Sequence, residues 1–155
     1  LGLILERILK GKTVTNYLQE KIWSPLGMEF DASWSVDKKN GGMEKTFCCL
    51  NTRARDSAKF GRLFLKKGNW QGKEIIPENW CTQSIHPDRS AGGANYYQLQ
   101  WWVQDGGIFR AEGIMGQFIM VDPKREMIMV RLGSQISTDW WNLGPALMKG
   151  ISERR

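Results

Sequence analysis

IFRAEGIMGQFIMVDPKREMIMVRL, residues 108–132, holds two apolar runs, Phe118–Val121 and Met127–Leu132, on either side of Asp122-Pro123-Lys124-Arg125-Glu126. Pro123 has no N–H to give to a ladder and the charged side chains favour water, so the middle reads as the turn of an antiparallel hairpin. Upstream, Tyr96–Gln104 is aromatic and β-prone, and Asp105-Gly106-Gly107 turns it back into Ile108–Ala111. The expectation is a three-stranded antiparallel meander. Gly113-Ile114-Met115-Gly116-Gln117 lies between its second and third strands. Two glycines three apart at a strand edge allow close backbone approach and leave bare N–H groups, as at the wall of a substrate cleft. An ordinary glycine-containing strand connection has the same spacing.

Outward from the meander the periodicity is helical. Leu1–Lys10 is apolar around most of its circumference and ends at Gly11, which suits a buried helix and implies a partner segment upstream. Thr13 or Thr15 caps a second helix running to Trp23, and Pro25 closes it. Glu29–Phe47 is polar and reads as a long surface loop. Thr52 caps a helix over 53–67, where Gly61 on the apolar face marks a close approach to a neighbouring element. Pro77 opens a short helix to Gln83. Thr138 or Asp139 starts a terminal helix with Trp141, Leu143, Ala146, Leu147 and Ile151 at core spacing and Pro145 in its first turns. Helices before and after an antiparallel meander describe an α+β layer fold.

Composition excludes several function classes. With 155 residues, 41% of them hydrophobic, the chain can bury a core and is not intrinsically disordered. No apolar run is long enough for a membrane span. The net charge of +6 is scattered, and its densest groups, Lys66-Lys67, Lys124-Arg125 and Arg154-Arg155, fall in loops, turns or the terminus, so no nucleic-acid face is expected. Cys48-Cys49 and Cys81 form neither a disulfide framework nor a zinc pattern, and as unpaired thiols they lean towards a reducing compartment. His86 is the sole histidine, which argues against a metal site or a histidine-based triad; no cofactor is implied. Gly11-Lys12-Thr13 lacks the leading glycine of a phosphate loop, since Glu6 stands there. Ser35-Val36-Asp37-Lys38 matches Ser-x-x-Lys, but it sits beside turn-forming residues and does not open an apolar helix, where one turn would set the lysine beside the serine.

Five pieces in this order resemble the serine β-lactamase and penicillin-binding-protein superfamily, in its class C-like branch of esterases, D-Ala-D-Ala peptidases and 6-aminohexanoate-dimer hydrolases. They are Leu1-Gly2-Leu3-Ile4-Leu5-Glu6; Pro25-Leu26-Gly27-Met28; the run from Thr52 to Gly61; Gly68-Asn69-Trp70-Gln71-Gly72-Lys73; and Gly113-Ile114-Met115-Gly116-Gln117 followed by Asp122-Pro123. The resemblance implies that residues 1–155 are the C-terminal portion of one β-lactamase-like domain. The family's Ser-x-x-Lys and Tyr-x-Asn would then lie in an N-terminal portion upstream of Leu1. By spacing, the family's Lys-Thr-Gly strand falls on Ala111-Glu112-Gly113. The amide that follows, of Ile114, would be an oxyanion-hole donor. Ala111 and Glu112 replace the residues that hold a substrate carboxylate, and a glutamate there would repel one. The implied substrate is therefore a small ester or amide, not a β-lactam, with Trp101 or Trp102 as a pocket wall. A fold-sharing domain that binds without catalysing is the alternative. Family members are often exported.

Overall fold

The computed structural model describes residues 1–134 and 138–154, so the Arg154-Arg155 pair lies partly outside the described residues. The chain divides into two compact units, Leu1–Asp56 and Ser57–Arg155.

The first unit begins with α1 (Gly2–Ile8) and α2 (Val14–Leu18), which widens into a π-type turn at Gln19–Trp23. Thr13 caps α2, its side chain accepting from the amide of Asn16 at 3.1 Å. The buried carboxylate of Glu44 accepts the Thr15 amide at 2.9 Å. Burial alone would raise the Glu44 pKa, but hydrogen bonds from the Thr15 side chain and from nearby amides hold it below the usual value. On α1, Leu3, Ile4 and Ile8 are all more than half exposed, and nothing in the first unit covers that side. The stretch expected to be one surface loop contains β1 (Ser33–Trp34), paired antiparallel with β2 (Leu50–Asn51), and a bridge between Val36 and Glu44. The Trp34 indole N–H ties this excursion together, donating to the carbonyls of Lys45 and Cys48. The cysteine reading also needs correction. Cys48 and Cys49 form a disulfide between neighbours, and Cys81 is the free, buried thiol. The left-handed backbone of Cys49 (φ 72°) turns the chain so that adjacent side chains meet. The unpaired-thiol argument for a reducing compartment therefore fails.

The second unit is layered around a five-stranded antiparallel sheet. It contains most of α3 (Ala54–Leu65), a small hairpin of β3 (Asn69–Trp70) and β4 (Lys73–Glu74), and α4 (Glu78–Ile85). The sheet follows as β5 (Tyr97–Gln98), β6 (Trp101–Val103), β7 (Phe109–Glu112), β8 (Phe118–Asp122) and β9 (Met127–Arg131), each paired with the next, before α5 (Trp140–Ser152). Where a three-stranded meander was expected there are five strands: both halves of the Phe118–Leu132 hairpin belong to the same sheet, and the first segment is split in two. Leu99 and Gln100, both at positive φ (39° and 77°), make a tight turn that splits Tyr96–Gln104 into β5 and β6. The turn after β8 falls where Pro123 placed it, although Asp122 does not seek water. It is fully buried and accepts from both the backbone and the guanidinium of Arg125.

Strand alternation sorts the side chains to two faces. Trp101, Val103, Phe109 and Val121 pack with Phe64 of α3 and Cys81 of α4. Gly61 lets α3 sit against this face, since a Cβ there would come within 2.8 Å of Ile119 Cγ2. On the opposite face Ile108, Phe118 and Met120 meet Met148 and Trp140 of α5. Pro145 lies inside α5 and has no N–H for the carbonyl of Trp141, one turn earlier. Gln104, just past β6, donates its Nε2 to that carbonyl at 3.0 Å.

Candidate active site

The β7–β8 hairpin carries the residues singled out in the sequence. Glu112 pairs with Phe118 and Ala111 with Ile119. Beyond them the Gly113 amide donates to the Gln117 carbonyl (2.7 Å) and the Gly116 amide to the Gly113 carbonyl (3.0 Å), closing a turn over Ile114 and Met115. Gly116 takes the left-handed conformation (φ 76°) that returns the chain to β8. Side chains from outside the turn brace it. The Gln117 amide group accepts from the Met115 N–H at 3.0 Å and donates to the Gly133 carbonyl at 2.8 Å, and Arg131 Nη1 donates to the Gly116 carbonyl at 2.6 Å. Of the four amides from Gly113 to Gly116, three are thus committed. The Ile114 N–H bonds to none of the described residues, and the Ile114 side chain is 90% exposed.

Glu112 does not stand as a bare charge at this tip. One strand period back on the same face, Arg110 Nη2 reaches Glu112 Oε2 at 2.6 Å. Arg110 is buried, and its guanidinium carbon lies 4.1 Å from the centroid of the Trp141 ring. Burial pushes the Arg110 pKa below its ordinary value, while Glu112 and Asp139 pull it back up. The repulsion between Glu112 and a substrate carboxylate expected from sequence is therefore offset by a paired cation. Alternation along β7 could have revealed the pairing, because residues two apart in a strand share a face.

The two tryptophans have separate settings. Trp101 is in the core, edge-on to Phe109 at 5.1 Å and 4.6 Å from the Phe64 ring, so its indole is occupied by packing. Trp102 is half-buried on the opposite face among Tyr96, Tyr97 and Trp141. Ser35 and Lys38 occupy extended and turn backbone, with the Ser35 amide on the Cys49 carbonyl, so no helical turn sets the lysine beside the serine. A concavity of about 570 Å³ along α4 is open to solvent, and its histidine, His86, has Nδ1 2.8 Å from the Thr82 carbonyl. Lys66, Lys67 and Arg125 are each paired with a carboxylate.

β7 thus ends at Glu112 and leads through Gly113 into a braced turn whose Ile114 amide is unbonded among the described residues. The beta-lactamase family model matches residues 1–138. The chain belongs to the beta-lactamase family. Over 98% of its length it is 27% identical to the 6-aminohexanoate-dimer hydrolase of Paenarthrobacter ureafaciens. The solved structure of a candidate 6-aminohexanoate-dimer hydrolase from Bacillus anthracis superposes with a TM-score of 0.81 over 99% of the chain at 29% identity. A β-lactamase structure from Mycobacterium bovis, 20% identical, shares the fold with a TM-score of 0.62 over 89% of the chain. The chain spans only 42% of the first of these relatives and 41% of the second.

Proposed function

We infer that the protein to which this chain belongs is a serine hydrolase that opens a small ester or linear amide through an acyl-enzyme, and that the Ile114 N–H is one donor of its oxyanion hole. The observation carrying this reading is the uncommitted Ile114 amide, flanked by three bonded neighbours in a turn held from both strands. A main-chain donor fixed in this way costs no reorganisation when negative charge develops on the carbonyl oxygen. Ala111, Glu112 and Gly113 form the adjoining strand wall, and Trp102 is better placed than the core-bound Trp101 to line a pocket. The likeness to a protein named 6-aminohexanoate-dimer hydrolase supports an amide or ester substrate.

The test is to replace Ile114 by proline, which removes the donor from a turn position that accepts proline, with Ile114→Ala keeping the amide as control. In the full-length protein, Ile114→Pro is expected to lower kcat for p-nitrophenyl esters by roughly 10²–10³ with little change in KM, as for loss of one oxyanion donor. Equal turnover by wild type and Ile114→Pro would overturn the reading. A full-length protein that hydrolyses no ester or amide would favour the non-catalytic binding domain.

A further inference from the structure

We propose that Arg110 is a positioning residue for the Ile114 amide, acting through Glu112 and held in place by Trp141. This rests on the reading of Ile114 as an oxyanion donor. The tip of the β7–β8 hairpin is tied by Gln117, just before β8, and by Arg131 at the end of β9. On its β7 side the last strand residue is Glu112, two positions before Ile114, and the ion pair with Arg110 fixes its side chain. Arg110 is itself confined: its exposure is 5%, and the Trp141 ring covers it at 4.1 Å. That ring is set by its own backbone, whose N–H donates to Asp139 at 3.1 Å and whose carbonyl accepts from Gln104.

The charge matters as well as the geometry. A carboxylate two residues from an amide that must hold an oxyanion would oppose that oxyanion if it swung freely. The guanidinium of Arg110 pairs with it at 2.6 Å and offsets its charge. Arg110 Nε and Nη1 find no acceptor among the described residues, so two buried donors are left unsatisfied in this arrangement. Such a cost is out of keeping with a side chain that serves packing alone, because an apolar residue of similar volume would fill the space without it.

A double-mutant cycle in the full-length protein tests this. Arg110→Met is expected to lower kcat about tenfold with KM unmoved, the size of loss that slight misplacement of a catalytic group produces. In an Ile114→Pro background the same substitution should change nothing further, because the group it positions is gone. If both single substitutions lower kcat and the double loss is their product, Arg110 acts independently of Ile114 and the proposal fails. An Arg110→Met kcat equal to wild type also overturns it. An Ile114→Pro kcat equal to wild type sinks the oxyanion reading instead. Circular dichroism checks folding. Should Arg110→Met not fold, Trp141→Leu, which removes the ring over the guanidinium, takes its place in the cycle under the same criteria. In the full-length protein, Arg110→Met should shift the Ile114 amide cross-peak while leaving those of α3 in place; an unmoved Ile114 signal would contradict the proposal.

Discussion

The two faces of the five-stranded sheet are built on different terms. Towards α3 and α4 it is carbon on carbon: Trp101, Val103, Phe109 and Val121 against Phe64 and Cys81, with Gly61 drawing the helix close. Towards α5 the apolar patch of Ile108, Phe118, Met120 and Met148 shares its layer with a buried arginine, a partly exposed glutamate and polar atoms of Gln104 and Trp140 that lack partners among the described residues. Burial of apolar surface is indifferent to direction, whereas an ion pair and an aromatic lid specify where one strand end points. The first face supplies stability. The second carries an ion pair and unpartnered polar atoms within its apolar layer.

That contrast can be broken by measurement. The largest effect should follow Phe109→Ala, which empties a site of zero exposure and is expected to cost about 4 kcal/mol in urea denaturation; a cost below about 1 kcal/mol would deny this face its role. Next, Gly61→Val should cost about 3 kcal/mol, because Ile119 and Ile128 stand where its side chain must go and neither methyl can swing clear. On the α5 face Glu112→Ala should cost about 2 kcal/mol, less than a fully buried pair because Glu112 is a third exposed, while Arg110→Met combined with Glu112→Gln should stay within about 1 kcal/mol of wild type. If the double substitution costs more than the single, the ion pair is a stabilising element and the two faces do not differ in kind.

The smallest effect is invisible at neutral pH. Burial, and then the nearby charges of Glu74 and Glu78, push the Cys81 thiol up to about 11, against about 8.5 in an unfolded chain. Above pH 8.5 the unfolded chain gives up this proton and the folded one keeps it, so stability should fall as pH rises towards 11. In Cys81→Ala that share of the slope should vanish. An unchanged slope would mean the thiol is not sealed in the carbon face.

Much of the carbon face was legible in the sequence, because periodicity and turn residues report burial. Pro123 placed the β8–β9 turn, and Gly61 on an otherwise apolar face announced a close approach. The turn between β7 and β8 was legible from Gly113 and Gly116. What escaped was set by interactions that have no periodic signature. The Leu99-Gln100 turn uses left-handed residues other than glycine or asparagine, so a run of nine residues reads as one strand. The disulfide of Cys48 and Cys49 joins neighbours, where spacing carries no information. Asp122 reads as a solvated turn residue, yet Arg125 lets it be buried.

Pro145 is poor helix material in the middle of α5, and a residue such as alanine there would improve the helix in isolation by about 3 kcal/mol. It would also supply a rival suitor for the Trp141 carbonyl, in competition with Gln104. A local defect in one element is what leaves a hand free to grip the next, so repairing α5 would loosen the very clasp that joins it to the sheet.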